Sequence, residues 1–163
     1  MNASDSSRTL TAHVMHAQPS APDPGLLECL PYRDFLELGA YETAPGLARG
    51  RLASVLREWS LREFEDVACL VLSELVTNGV AATAGVSWEG GLPPVRLWVR
   101  GGPTVVAVLV WDATVAAPVP RAATYADEAG RGLLIVAELS AWWGFYYPAE
   151  MGGKVTWAVI DTA

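Results

Sequence analysis

The sequence predicts an α+β domain in which helices cover one face of a mainly antiparallel, partly mixed sheet. Two apolar segments, Val95–Arg100 and Thr104–Trp111, flank a Gly-Gly-Pro turn, and a second pair, Trp142–Tyr147 and Lys154–Ile160, flanks a turn with two glycines. Such pairs are typical of β-hairpins. Apolar residues at helical spacing before each hairpin predict the covering helices, and this order of elements favours a two-layer sandwich.

The length and composition indicate one globular domain. The chain has 163 residues, of which 52% are apolar and 18% charged, and a chain of this size can bury a substantial core. Residues 1–30 are predicted to form a flexible tail, because they begin with a Ser-, Ala-, Asp- and Pro-rich stretch without apolar period. Residues 31–163 then form the domain. The formal charge of −7 disfavours direct nucleic-acid binding, because neutralising phosphates needs lysine and arginine.

The cysteines and the hydropathy pattern bear on the compartment. Cys29 and Cys69 have no spacing typical of a metal site or a disulfide framework, which fits a reducing compartment. The first residues lack a basic region followed by an apolar stretch, and no segment has 18 uninterrupted apolar residues. We therefore expect neither a secretory signal nor a membrane span, and the sequence predicts a cytoplasmic protein.

The first half of the domain is predicted to begin with a strand and a helix. Residues 33–41 alternate in part between apolar and polar side chains, which favours a strand. Thr43 precedes Pro45 as an N-cap residue would, and apolar residues at helical spacing continue to Trp59. Ser60, with Glu63 three residues later, matches a capping box that opens the next helical segment.

The stretch 66–84 carries the strongest chemical signal. Its first half is apolar on nearly every side, as in a buried helix, yet Glu74 and Asn78 interrupt it on one helical face. A buried carboxylate needs a partner, so Glu74 is a candidate base, and the amide oxygen of Asn78 is a candidate ligand for Mg²⁺. The alternative is that Glu74 points to solvent and Asn78 begins a C-terminal turn with Gly79 at the cap.

A further acidic residue stands where the predicted central strand ends. The almost wholly apolar segment 104–111 predicts a strand buried on both faces. Asp112 follows it, and its carboxylate can either accept a hydrogen bond from a ligand amine or cap a turn. The irregular residues 113–129 predict a long loop that is functional or mobile.

A glycine-rich turn precedes the last predicted helix, over 133–141. Gly130 and Gly132 flank Arg131 there. Glycines let backbone N–H groups approach an anion, and a helix N-terminus favours negative charge. The arginine adds a forked donor. This turn is therefore a candidate phosphate site, although a Gly-x-Gly pattern alone is a weak signal.

Taken in order, these motifs resemble the GHKL (Bergerat) ATP-binding fold shared by gyrase and the catalytic domains of histidine kinases. Within that fold the chain is most similar, over about residues 34–161, to the anti-sigma-factor serine-kinase branch found as small actinobacterial regulators. The matching segments are Ser73-Glu-Leu-Val-Thr-Asn78, Gly130-Arg-Gly-Leu-Leu134, Trp143-Gly144, and Gly152-Gly-Lys154 with Trp157-Ala158.

The resemblance implies ligands, an activity and partners. It implies a histidine-kinase-like domain that binds ATP with Mg²⁺, transfers the γ-phosphate to a Ser or Thr of a small antagonist protein, and sequesters a sigma factor. Regulators of this branch often dimerise, so a homodimer is a further expectation. Direct contact with nucleic acid or a membrane is not expected.

The resemblance also assigns a role to each matching residue. Asn78 would hold the Mg²⁺, Glu74 would be the general base, and Asp112 would receive the adenine amino group. Gly130, Arg131 and Gly132 would also bind the cofactor, as part of a lid over the phosphates, and Thr156 would bind it near the adenine.

The chain departs from the family pattern at three places. The first glycine box, usually Asp-x-Gly-x-Gly, reads Asp112-Ala-Thr-Val-Ala116. Ala81 and Ala82 stand where the branch often has a basic residue or histidine. Thr156 comes one residue later than the family threonine, which on an alternating strand turns a side chain to the other face. A second hypothesis is therefore a non-catalytic protein-interaction module with a degraded nucleotide site.

Overall fold

A computed structural model describes residues 19–119 and 131–162. Gly130 and the later part of the predicted 113–129 loop lie outside the described residues. The elements, in chain order, are α1 Pro24–Cys29, β1 Tyr32–Gly39, α2 Ala44–Glu58, a 3₁₀ turn Arg62–Phe64, α3 Glu65–Ala82, β2 Pro94–Gly102, β3 Val105–Asp112, α4 Gly132–Leu139, β4 Trp142–Tyr146 and β5 Lys154–Asp161.

The five strands form one sheet in the order β1-β2-β3-β5-β4. All four pairings between these strands are antiparallel, so the predicted α+β class with an antiparallel sheet is confirmed. The expected mixed character is confined, within the described residues, to an isolated parallel bridge between Pro19 and Phe145. β3 is the central strand, as its apolar sequence predicted.

Three helices, α2, α3 and α4, pack on one side of the sheet, which we call the helical face. Because side chains alternate along a strand, even-numbered residues of β3 and odd-numbered residues of β2 point to this side, and Val108 and Leu97 are examples. Leu72 and Leu75 of α3 are each 1% exposed. Burying side chains of this size contributes about 1.5–3 kcal/mol each, which holds α3 against the sheet. No helix in the described part of the chain is both long and apolar enough to cross a membrane.

The other side of the sheet, which we call the opposite face, has a smaller core. Leu109 and Trp157 lie in it, and Leu30, at 4% exposure, packs with them beside α1. The one-sided helix layer predicted from the sequence is therefore wrong for α1. This six-residue helix begins with Pro24 and is capped by Asp23, whose Oδ1 accepts a hydrogen bond from the N–H of Gly25 at 3.1 Å. It was missed because six residues are too few for a periodic signal, and the sequence assigned them to the tail.

The connection between α2 and α3 differs from the predicted capping box. Thr43 occupies the N-cap position of α2 and Pro45 follows it as predicted, although the Thr43 side chain makes no capping hydrogen bond within the described residues. Ser60 has a φ of 60°. The residue before the 3₁₀ turn is Leu61, and it makes no side-chain cap. Leu61 and Phe64 are buried instead. Apolar burial, rather than a polar cap, therefore fixes the turn that leads into α3.

Candidate functional site

The polar residues of α3 divide between its buried and its accessible sides. Ser73 is buried and donates a hydrogen bond from Oγ to the carbonyl oxygen of Cys69 at 2.8 Å, so it serves the helix itself. Glu74 and Asn78 are partly exposed, and Thr77 is exposed. Since α3 continues through the buried Gly79 to Ala82, the alternative with Gly79 as the helix cap is wrong.

Glu74 lies directly against the start of α4. A Cβ built on Gly132 would lie 2.5 Å from Oε2 of Glu74 and 3.5 Å from its carboxyl carbon. Only a glycine lets the α4 backbone come this close to the carboxylate. The structure thus brings together two residues that are 58 positions apart (132 − 74) in the sequence and that were predicted for the same site.

One residue after Asn78, the helix rests on the end of β3. A Cβ on Gly79 would lie 3.6 Å from Cβ of Asp112 and 3.5 Å from a methyl group of Val95. This close approach fixes the position of Asn78 beside the end of β3. The predicted metal-ligand residue is therefore one position along α3 from the contact with the predicted adenine residue.

The carboxylate of Asp112 is engaged by a residue that sequence reasoning did not assign to the site. Asp112 and Lys154 are register partners on β3 and β5, and Nζ of Lys154 donates to Oδ1 at 2.8 Å and to Oδ2 at 2.7 Å. Each residue is 1% exposed. Burial raises the pKa of the Asp112 carboxyl above its ordinary value, and the Lys154 ammonium offsets part of that rise.

A signal for Lys154 was present in the sequence. It is a lysine at the start of a strand that is otherwise apolar almost throughout, and lysine is almost never fully buried unless it is paired. The missing information was its partner, because the hairpin order of the strands alone does not state which residues of β3 and β5 are opposite each other.

The loop after β3 begins with two local turns where the family pattern has glycines. The N–H of Thr114 donates to Oδ1 of Asp112 at 3.1 Å, and the N–H of Ala116 donates to Oγ1 of Thr114 at 3.1 Å. Asp and Thr side chains commonly hold a turn in this way. Asp112 therefore holds a turn, which is one of the two alternatives that the sequence left open, and its carboxylate also accepts hydrogen bonds from the Lys154 ammonium.

Thr156 shares the helical face with Asp112. It is opposite Val110 in the register of β3 and β5, two residues from the Asp112–Lys154 pair. Its side chain is 2% exposed, and its Oγ1 has no hydrogen-bond partner among the described residues. A buried hydroxyl without a partner costs about 1–3 kcal/mol.

Arg131 stands at the N-cap position of α4 and is exposed, and its side chain caps no described backbone N–H. Its guanidinium is therefore accessible next to the contact of Glu74 with Gly132. Gly130 lies outside the described residues. No cluster of three or more His, Cys, Asp and Glu residues suited to a metal occurs in the described part of the chain, so a metal there would depend on Asn78, water and phosphate oxygens.

Two cavities lie away from this group. One, of 540 Å³, is between α2 and α3 and is lined in part by Gly50 and Cys69. The other, of 230 Å³, is on the opposite face and is lined in part by Trp98 and Arg100. Those predicted site residues that the structure describes line neither cavity.

Comparison of the sequence with protein-family models and with curated proteins gives no match. The geometry can be summarised chemically as an amide and a carboxylate on α3, a glycine and a guanidinium at the start of α4, and a closed Asp–Lys pair at the junction of β3 and β5. The first four groups are suited to binding phosphate and a metal ion. The paired Asp112 carboxylate, by contrast, has little remaining capacity to accept a hydrogen bond from a nucleotide base.

Proposed function

We propose that this chain is an ATP-binding regulator of the GHKL type that resembles the anti-sigma-factor serine kinases. It binds ATP with Mg²⁺, phosphorylates a Ser or Thr of a small antagonist protein in the cytoplasm, and sequesters a sigma factor, with a homodimer as its working form. The observation that carries the proposal is the contact of Glu74 with Gly132, which joins the acid–amide helix to the glycine turn.

The residues have separate tasks in this proposal. Glu74 accepts the proton of the attacking hydroxyl, because it is partly exposed where α3 meets α4. The amide oxygen of Asn78, one helical turn later, is a ligand for Mg²⁺, and the Arg131 guanidinium donates to phosphate oxygens. Bound Mg²⁺ would supply neutralisation of phosphate charge.

The adenine side of the site fits less completely. The unpartnered Oγ1 of Thr156 is consistent with a ligand atom on the helical face. The Asp112 carboxylate, however, already accepts from Lys154 and from Thr114. An adenine amino group must share an oxygen with Lys154 or displace it, and we therefore expect weaker nucleotide binding than a free aspartate would give.

The test is calorimetric titration with Mg-ATP of the chain, of Asn78→Ala, and of the matched control Thr77→Ala. Thr77 is exposed on the same helix, so its variant reports any general effect of substitution. We expect binding to be lost in Asn78→Ala and retained in Thr77→Ala. At about 100 times its Kd, ATP should also raise the free energy of unfolding by about 2.7 kcal/mol. No heat and no stabilisation at millimolar Mg-ATP would overturn the proposal.

A second candidate is a non-catalytic protein-interaction module of the same fold, and the closed Asp112–Lys154 pair favours it. On this view the folded chain takes no nucleotide, and its binding partner recognises the fold itself. Lys154→Met tests this candidate where the parent chain binds no Mg-ATP, because it removes the ammonium that occupies the Asp112 carboxylate. A gain of Mg-ATP binding in that variant, with a native circular dichroism spectrum, would mean that Lys154 keeps the site closed.

A further inference from the structure

The register of β1 and β2 places two cross-strand pairs on the opposite face, and their charges differ. Glu37 is opposite Arg96, and Arg33 is opposite Arg100. In the first pair Nε of Arg96 donates to Oε2 of Glu37 at 2.6 Å, so opposite charges meet. In the second pair two arginines are directly opposite each other on neighbouring strands, and like charges in this arrangement are destabilising.

Neither arginine of the second pair has a carboxylate partner among the described residues. Arg33 donates from Nη2 to the carbonyl oxygen of Glu28 at 3.4 Å, and Arg100 donates from Nη1 to the carbonyl oxygen of Val99 at 3.0 Å. No described carboxylate lies within 4.0 Å of either guanidinium. Partial burial and the neighbouring Arg33 together lower the pKa of Arg100. Although the chain has a net charge of −7, positive charge is therefore concentrated where Arg33 is opposite Arg100.

Arg100 also lines a cavity with an apolar body. The cavity has a volume of 230 Å³, is partly open to solvent, and lies between α1, the sheet and the turn between β4 and β5. Its lining consists of Leu27, Trp98, Arg100, Leu109, Tyr146, Pro148, Met151 and Val155. Trp98 and Tyr146 provide aromatic surface, and the Tyr146 hydroxyl is a hydrogen-bond donor.

We propose that this cavity is a binding site for a small aromatic carboxylate, with the ring between Trp98 and Tyr146 and the carboxylate on Arg100. Apolar cavities with a few placed polar groups are typical ligand sites. A guanidinium binds a carboxylate through two parallel hydrogen bonds. A carboxylate there also relieves the repulsion between Arg33 and Arg100, whereas a neutral ligand does not. The site lies on the opposite face of the sheet, so it does not depend on the proposed nucleotide function.

The experiment is calorimetric titration with 2-naphthoate and with its neutral counterpart 2-naphthylmethanol. We expect the chain to bind the carboxylate more tightly than the alcohol. Arg100→Gln should weaken 2-naphthoate binding by about tenfold, because a charge-assisted pair is lost, and should leave binding of the alcohol unchanged. Arg62→Gln, at an exposed arginine of the 3₁₀ turn, is the matched control and should bind like the parent chain.

Arg33→Gln keeps the test decisive if Arg100→Gln does not fold, because Arg33 is exposed. It should also weaken 2-naphthoate selectively, by a smaller factor. Equal affinity for carboxylate and alcohol would overturn the proposal. So would equal effects of the Arg33 and Arg62 substitutions, or absence of binding at millimolar 2-naphthoate.

Discussion

Lys154 closes the end of the central strand by donating from Nζ to both carboxylate oxygens of Asp112, at 2.8 and 2.7 Å. Both side chains are almost completely buried. A buried ion pair of this kind gains strong attraction but loses the hydration of both charges. The free energy of unfolding should therefore fall most when only one residue of the pair is removed.

Removal of Lys154 alone should strongly destabilise the fold. In Lys154→Met the free energy of unfolding should fall by about 3–5 kcal/mol, because Asp112 is left as an unpaired buried acid. The double variant Asp112→Leu with Lys154→Met should recover most of this loss, since apolar residues of similar size replace the pair. Urea denaturation measures both variants, and a double variant as unstable as the single one would contradict the explanation.

The cost of Lys154→Met should depend on pH. Burial raises the pKa of Asp112 above its ordinary value of 3.8, and loss of the ammonium should raise it further. A group with a raised pKa in the folded state adds stability below its unfolded pKa and loses it as the pH rises through the folded value. The stability difference between the variant and the parent chain should therefore shrink as the pH falls toward 4. A difference independent of pH would show that Asp112 is not its source.

Two adjacent glycines before β5 should respond differently to the same substitution. Gly152 and Gly153 have φ values of 64° and 62°, so alanine is strained at both. A Cβ on Gly152 meets no atom of the described residues within 4 Å, whereas one on Gly153 overlaps the carbonyl oxygen of Asp112 and lies 2.9 Å from Nε1 of Trp111. Gly152→Ala should cost about 1–2 kcal/mol. Gly153→Ala should cost a further ~1–3 kcal/mol through overpacking. Thermal unfolding of the two variants measures these losses of stability. Equal losses would mean that backbone strain, and not overpacking, accounts for both.

The surface pair of Arg57 with Glu65 should give a stability contribution that acid removes. Nε of Arg57 donates to Oε2 of Glu65 at 2.9 Å, and Nη2 contacts Oε1. These hydrogen bonds lower the pKa of Glu65 below its ordinary value of 4.5. A lowered pKa adds stability above the unfolded value and loses it as the pH falls through the folded one. The melting temperatures of the parent chain and Arg57→Gln should therefore converge below about pH 4.5. Convergence should also occur at neutral pH in high salt.

The two cysteines should react at different rates with a disulfide reagent at pH 8. Cys29 is exposed, whereas Cys69 is partly buried and burial raises the pKa of its thiol. Since the thiolate is the reactive form, Cys69 should react more slowly. Cys29→Ser should remove the fast phase and leave the slow one. A single fast phase from Cys69 in that variant would contradict its burial.

Much of the architecture follows from local patterns. Apolar segments around turn glycines predicted the four strands of the two hairpins, and apolar residues in helix-favouring segments predicted α2, α3 and α4, because these signals arise within a few residues of chain. The failures were also local in kind. α1 has six residues, too few for periodicity, and the Ser60–Glu63 pattern matched a capping box although buried Leu61 and Phe64 determine the turn.

The candidate site divides along the same line. Sequence by itself determined that Glu74 and Asn78 share a helical face and that Asp112 ends the central strand, since both follow from the period of one element. Only the tertiary structure decided that Glu74 contacts Gly132, that Asp112 is paired with Lys154, and that Arg33 is opposite Arg100. These contacts depend on strand register and helix placement, which are set by the packing of the whole core, so no short stretch of sequence contains them.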